Sequence, residues 1–93
     1  MKYEYDKIKN EFLKTERNVC SEEILDEIQK GKFLILDHPD KNKYPDQIII
    51  LVLINDYVYA VPSKVHEYKI VLTTVYQSRK FNKLYADKLR GEL

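Results

Sequence analysis

The chain has 93 residues, of which 44% are hydrophobic and 33% are charged, and this composition is typical of one small domain. Its length excludes a multidomain enzyme or a repeat solenoid, and its two glycines and three prolines exclude a low-complexity chain. The longest apolar run, Ile48 to Ile54, is too short to cross a membrane. No apolar segment follows Met1, and the single cysteine, Cys20, allows no internal disulfide. We therefore expect a cytoplasmic bacterial protein with no membrane association.

The net charge of +1 conceals an uneven distribution along the chain. Residues 1–63 carry nine basic against twelve acidic side chains, whereas residues 64–93 carry seven basic against three acidic ones. A basic segment on a nearly neutral protein suits a polyanionic substrate or an acidic partner protein. The alternative is that these lysines and arginines form an ordinary solvated surface.

Two helices are predicted in the first third of the chain, after a short β-prone piece at Tyr3 to Tyr5. Asp6 is a plausible N-cap for a helix running to Arg17, whose apolar residues fall on one stripe. Ser21 caps the second helix, acidic residues in its first turn favour the helix dipole, and Gly31 ends it. The apolar stripes comprise Ile8, Phe12 and Leu13 in the first helix, and Ile24, Leu25 and Ile28 in the second.

Four strands are predicted next, because the apolar period changes after the second helix. The second of them is continuously apolar, which is typical of a central strand buried on both faces. Asn55-Asp56 is a hairpin signal, and Pro62 is expected to end the third strand. The four predicted strands cover Phe33 to Leu36, Gln47 to Ile54, Tyr57 to Val61 and Tyr68 to Tyr76.

A further helix closes the chain, with Ser78 as its predicted N-cap. Its predicted apolar stripe comprises Phe81, Leu84, Tyr85 and Leu89. The sequence therefore predicts an α+β fold over residues 1–93, with two N-terminal helices, a four-stranded antiparallel sheet and a C-terminal helix.

The clearest functional signal is a row of cations on the closing helix. At 100° per residue, Arg79, Lys83 and Arg90 lie within about 40° of one another, and Lys80 lies to one side. A row of cations suits the phosphodiesters of a nucleic acid, and an arginine can donate to one of them in a bidentate manner. The alternative is an amphipathic helix with an ordinary solvated face.

Other candidate groups give weaker signals. The two histidines, His38 and His66, fall in predicted turns and are typical of ordinary surface residues. Tyrosines can stack on the bases of single-stranded RNA or lie half-buried with their hydroxyls at the rim, and the candidates are Tyr57, Tyr59 and Tyr76. No phosphate-binding loop, metal-binding motif or nucleophile elbow is present, so the sequence predicts neither a metal site nor a cofactor.

Three stretches resemble, in this order, the BrnT family of toxins from bacterial type II toxin–antitoxin systems. They are Tyr3-Glu4-Tyr5-Asp6-Lys7-Ile8-Lys9 followed by Asn10, then Glu16-Arg17-Asn18-Val19-Cys20-Ser21-Glu22-Glu23, and finally Tyr76-Gln77-Ser78-Arg79-Lys80. The resemblance covers essentially the whole chain. It implies a RelE-like ribonuclease fold, cleavage of RNA, and neutralisation by a ribbon-helix-helix antitoxin. It also leaves room for a dimer of toxin–antitoxin pairs.

The chain also departs from the pattern that it resembles. Arg79 matches the family's arginine after the last strand, and Lys9 matches its first-helix motif. Arg17 stands where the family usually has a histidine, Gln47 where it often has an arginine, and Tyr85 near the place of a glutamate. Loss of that histidine removes a ready proton shuttle at neutral pH. Either other groups transfer the protons, or this divergent chain cleaves poorly, or it only binds.

If the protein is a nuclease, the lack of a carboxylate or Cys/His cluster at metal-binding spacing favours a metal-independent reaction, in which the RNA 2′-hydroxyl attacks the adjacent phosphorus. The candidate catalytic residues are Arg79 for the phosphorane charge, Arg17 for a flanking phosphate, and His38 or a tyrosine for proton transfer. The candidate RNA-binding residues are Lys9, Lys80, Lys83 and Arg90. The alternative function is a weakly active or inactive interaction module that binds an antitoxin-like partner or RNA.

Overall fold

The computed structural model describes residues 2–5 and 21–91 of the chain. These residues form six strands and two helices, neither of which is long and apolar enough to span a membrane. The elements are β1 Lys2–Tyr5, α1 Ser21–Gln29, β2 Phe33–Asp37, β3 Gln47–Ile54, β4 Tyr57–His66, β5 Lys69–Leu72, β6 Tyr76–Gln77 and α2 Arg79–Arg90. The helix predicted from Asp6 to Arg17 lies outside the described residues.

The strands form one mixed sheet with the order β1-β5-β4-β3-β2, in which β6 also pairs with β4. β1 runs parallel to β5, with Tyr3 opposite Ile70, whereas the other described pairs are antiparallel. The structure is therefore a small α+β domain, but the prediction of two N-terminal helices with a four-stranded antiparallel sheet is wrong. The reason is that β1 pairs with a strand more than sixty positions away, and a local apolar period carries no information about so distant a partner.

Each face of the sheet carries one helix and one buried apolar cluster. Ile24 and Ile28 of α1 pack on β3, and we name this side the α1 face. Ala86 and Leu89 of α2 pack on β3 and β4 from the other side, the α2 face. Side chains of β3 alternate between the two clusters, which confirms the prediction of a central strand buried on both faces.

β4 continues through Pro62 to His66, so the prediction that this proline ends the strand is wrong. The Pro62 carbonyl accepts hydrogen bonds from the backbone N–H and the hydroxyl of Thr73. The nitrogen and the carbonyl of one strand residue point to the same side, so the nitrogen of Pro62 faces the break between β5 and β6. Proline has no N–H, and at this break no strand pairing requires one. The same break divides the predicted strand Tyr68 to Tyr76 into two.

The predicted cap of α2, the predicted end of α1 and the predicted hairpin turn are confirmed. The Ser78 hydroxyl accepts a hydrogen bond from the backbone N–H of Phe81 at 3.1 Å and so caps α2. Gly31 ends α1 in the left-handed conformation, with φ +77°. Asn55 and Asp56 have φ values of +52° and +63°, the conformation that a two-residue hairpin between twisted strands requires.

The buried side of α2 differs from the predicted stripe at one position. Leu84 is 60% exposed, and Ala86 takes a buried position instead. The cause is Asn82, whose side-chain oxygen accepts a hydrogen bond from the backbone N–H of Val58 at 3.1 Å and turns this side of α2 toward the sheet. Ala86 lies one turn beyond the half-buried Asn82 and is buried against the sheet, whereas Leu84 points away. The other members of the predicted stripe, Phe81, Tyr85 and Leu89, are half-buried or buried as expected.

Candidate nucleic-acid interface

The exposed side of α2 carries four cations around an apolar side chain. They are Arg79, Lys80, Lys83 and Lys88, and together with Leu84 we name them the α2 surface. None of the four cations forms an ion pair with a residue that the structure describes. Their charges are therefore available to an external anion.

Hydrogen bonds to one residue of β4 fix the start of α2. The backbone N–H of Ser78 donates to the carbonyl of Val58 at 3.1 Å, and the N–H of Val58 donates to Asn82 at 3.1 Å. Arg79 lies between these two anchors, and its own side chain is exposed. These bonds fix the backbone on either side of Arg79, whereas its guanidinium forms no hydrogen bond or ion pair with a described residue.

Lys80 and Lys83 are both exposed, so the structure brings these two predicted RNA-binding residues together with Arg79 on one surface. The ammonium of Lys80 also lies 5.8 Å from the ring centroid of Phe81. Lys88 was not among the sequence candidates. A signal for it exists, because Lys80, Leu84 and Lys88 are spaced by four residues and so share one side of a helix.

Arg90 has a different environment from the other predicted cations. Its Nε donates to the Asp56 carboxylate at 2.7 Å, and its Nη1 donates to Asp87 at 3.0 Å. Its side chain is 27% exposed, against 76% for each of the two carboxylates. Its angular position near Arg79 agrees with the sequence, but its charge is already compensated within the protein.

His38 lies far from Arg79. It follows β2, its Nδ1 accepts a hydrogen bond from the backbone N–H of Asp40 at 3.0 Å, and its ring lies 4.7 Å from that of Tyr44. Asp37 pairs with Ile48, whereas Val58, which anchors α2, pairs with Leu53. Ile48 and Leu53 are five residues apart, or about 16 Å along β3. His38 and Arg79 therefore cannot contact the same phosphodiester. The second histidine, His66, ends β4 beside Lys69, at the end of the sheet where His38 lies.

Arg17 and Lys9, the other predicted site residues, lie outside the described residues, as does Asn10. Gln47 starts β3 and is half-buried. Tyr85 packs against the cluster on the α2 face, where the helical period places it. Neither Gln47 nor Tyr85 belongs to the α2 surface.

The three tyrosines of the sequence argument are divided between the two faces of the sheet. Tyr57 and Tyr59 pack in the cluster on the α1 face, and the Tyr59 hydroxyl accepts a hydrogen bond from Gln77 at 3.1 Å. Tyr76 lies opposite Ala60 on the α2 face, two residues before the cap of α2, and is 38% exposed. Of the three, Tyr76 is therefore the one that can offer its ring to a ligand on the α2 surface.

The described carboxylates and histidines do not form a metal-binding group, since no three His, Cys, Asp or Glu residues of residues 2–5 and 21–91 cluster suitably. Two shifted pKa values belong to ion pairs elsewhere. A hydrogen bond from Lys69 lowers the pKa of Glu4, and a hydrogen bond to Asp26 raises the pKa of Lys30. Both pairs are remote from α2.

Comparisons of the chain with protein-family models, with curated proteins and with solved structures find no match.

Proposed function

We propose that this protein is a cytoplasmic bacterial toxin of the type II toxin–antitoxin kind, which holds single-stranded RNA on the α2 surface and cleaves it. The toxin assignment and the ribbon-helix-helix antitoxin rest on the resemblance of the three sequence stretches. The observation that carries RNA binding is the row of exposed cations on α2 that have no described ion-pair partner.

Electrostatics favours a polyanion on this surface. α2 contains one acidic residue, Asp87, and its carboxylate is bound by Arg90. Consecutive phosphates of an RNA strand can therefore approach Lys80, Lys83 and Lys88 without displacing an internal partner. Binding of this kind releases counterions and weakens steeply as salt rises.

The position of Tyr76 favours a single strand over a duplex. An exposed ring beside a cationic surface offers a stacking platform to an unpaired base, whereas bases in a helix are already stacked on one another. The ring lies on the same sheet face as α2 and directly precedes its first turn. In this arrangement one base stacks on Tyr76 while its phosphate contacts Arg79, so both residues bind the same nucleotide.

Cleavage requires more than this surface. In the proposed step the RNA 2′-oxygen forms a bond to phosphorus, the bond to the 5′-oxygen breaks, one proton leaves the 2′-hydroxyl and another reaches the leaving oxygen. Arg79 stabilises the charge of the phosphorane. His38 is too distant to transfer either proton at Arg79, which leaves a tyrosine as the candidate for proton transfer. Arg17 is assigned to a flanking phosphate and Lys9 to RNA binding, because a guanidinium stays protonated and cannot act as the base.

The test is fluorescence anisotropy with a labelled single-stranded RNA of twelve nucleotides, repeated over a range of salt. The double variant Lys80→Ala/Lys83→Ala should bind at least tenfold more weakly, and the slope of log K against log salt should fall by about 1.4 because two phosphate contacts are lost. Lys30→Ala/Lys41→Ala is the matched control, since it removes the same charge from two ion-paired lysines outside α2. Equal losses in both variants would mean that only net charge matters and would contradict the proposal.

A second candidate function is docking of an acidic partner protein. The observation that favours it is Leu84, which is 60% exposed between lysines one turn away on either side. Exposed leucine ringed by cations suits an acidic segment with an apolar anchor. Co-expression with the product of the adjacent reading frame tests docking, which a toxin bound by its antitoxin would share, and RNA cleavage by the purified protein separates the two functions. Leu84→Asp should abolish capture of that protein if it docks here, whereas Leu84→Ser should leave the RNA affinity of the purified protein almost unchanged.

A further inference from the structure

The two edges of the described sheet differ in chemistry. The β1 edge carries charged residues, since Lys2 and Glu4 alternate with tyrosines and Glu4 pairs with Lys69. The β2 edge has the sequence Phe33-Leu34-Ile35-Leu36, with no charge before Asp37. Charges on an edge strand oppose pairing with another chain, and uncharged apolar edges promote it. The β1 edge is therefore protected and the β2 edge is not.

The β2 edge is also accessible. β2 is the last strand in the sheet order and pairs with β3 on its inner side, and no described strand pairs with its outer side. Ile35, at its centre, is 47% exposed, one of the few large apolar side chains of the described residues with such exposure. A row of unpaired backbone groups flanked by apolar side chains is a template for a further strand.

We propose that the β2 edge binds a second copy of this chain, with the two β2 strands antiparallel and the sheet continuous across the dimer. An antiparallel pair about a two-fold axis keeps the two faces of the sheet in register. With Ile35 opposite the partner's Ile35, Leu34 lies opposite the partner's Leu36. Leu34 and Leu36 border the cluster on the α2 face, so this cluster then continues into its counterpart.

The charges at the two ends of β2 favour antiparallel pairing with the β2 strand of a second copy. Lys32 precedes the strand, is exposed and has no described ion-pair partner. Asp37 ends the strand and forms an ion pair with Lys41 at 3.0 Å, and because its side chain is 66% exposed it can also accept from a second cation. Antiparallel pairing brings the basic end of each strand beside the acidic end of the other, whereas parallel pairing would bring like charges together.

The proposed dimer leaves the α2 surface open. α2 packs mainly on β3 and β4, so a continuous sheet carries both α2 helices on the same face without covering their exposed sides. This proposal does not rest on RNA binding, and each can fail without the other.

The first test is sedimentation velocity of the full chain at tens of micromolar. The parent should sediment as a dimer, and Ile35→Lys should sediment as a monomer because the charge lies at the centre of the paired edge. Leu84→Lys is the matched control, since it places the same charge on a more exposed apolar residue outside the edge, and it should remain a dimer. Circular dichroism verifies that each variant is folded. A monomeric parent overturns the proposal, and so does a monomeric Leu84→Lys variant.

A cross-link tests the register. In a Cys20→Ser background, Ile35→Cys places two thiols on the two-fold axis, where directly opposed residues have Cα atoms about 4.5–5.5 Å apart, within the range of a disulfide. Mild oxidation should convert most of this variant to a covalent dimer. Tyr68→Cys, at an exposed turn that the proposed interface does not include, is the control. Equal cross-linking of both variants, or none at residue 35, overturns the antiparallel arrangement.

Discussion

The Arg90 guanidinium donates to the Asp56 carboxylate with an Nε–Oδ1 distance of 2.7 Å, joining two residues 34 positions apart in the chain. The contact ties the last turn of α2 to the hairpin between β3 and β4. We predict that Asp56→Asn lowers the free energy of unfolding by about 0.5 kcal/mol, since exposed ion pairs contribute between a few tenths and 1 kcal/mol. Asparagine tolerates the left-handed conformation of this turn, so the loss reports the ion pair. Urea unfolding measures it.

A double-mutant cycle isolates this contact. Arg90→Met keeps the stem of the side chain, and Asp56→Asn should have little further effect in that background. If the two losses simply add, the ion pair contributes nothing and the prediction fails.

We predict that Arg79→Ala slows cleavage of RNA on the order of 100- to 1,000-fold, the usual cost of removing one donor that stabilises a transition state. The stability should not change, because the side chain is exposed and has no described ion-pair partner. Single-turnover cleavage of a labelled RNA, with thermal unfolding measured in parallel, tests both statements.

Lys83→Ala serves as the comparison for Arg79. If Lys83 positions a flanking phosphate, its removal should slow cleavage less, and the difference from the parent should vanish as salt rises. An Arg79→Ala variant that cleaves as fast as the parent would contradict the assignment of Arg79.

We predict opposite outcomes for two leucines of α2. Leu89→Ala should cost about 2–5 kcal/mol, because Leu89 is buried against the sheet and its truncation leaves a cavity. Leu84→Ala should change stability by less than about 0.5 kcal/mol, because the side chain already lies mostly in solvent. Urea unfolding of the two variants is sufficient. Comparable losses would mean that α2 has a different rotation about its axis.

We predict an acid-dependent contribution from Glu4. The hydrogen bond from Lys69 lowers the pKa of Glu4 below its ordinary value of 4.5 in the folded protein. The stabilisation is therefore fully present above that ordinary value and is lost as pH falls through the lowered pKa. The midpoint of thermal unfolding of Glu4→Gln should lie below that of the parent at neutral pH, and the two should converge in acid. In a Lys69→Gln background, most of the difference should disappear.

Local chemistry accounts for the parts of the fold that the sequence predicts well. Ser78, Gly31 and the Asn55-Asp56 turn act through their own backbone conformations or through hydrogen bonds to near neighbours. Prediction fails where the partner is distant. Pro62 lies inside a strand because its carbonyl meets Thr73, and no pattern around Pro62 contains that contact.

In the candidate site, too, the features that depend on local geometry are predicted and those that depend on distant residues are not. Helical geometry alone places Arg79, Lys80 and Lys83 on neighbouring positions of one exposed surface. The same geometry groups Arg90 with them, but Asp56 of a distant turn compensates its charge. The exposure of Leu84 likewise depends on the bond between Asn82 and Val58, two residues of different elements.

The pairing of β1 with β5 has a consequence for synthesis of the protein on the ribosome. β1 leaves the exit tunnel before the other described strands, and it cannot bind its neighbour until residues 69–72 have also left the tunnel. Tyr3 and Tyr5 pack against the cluster on the α1 face, so this part of the core also forms only after β5 is available. We therefore expect β1 to dock late in folding, as a slow step governed by long-range loop closure.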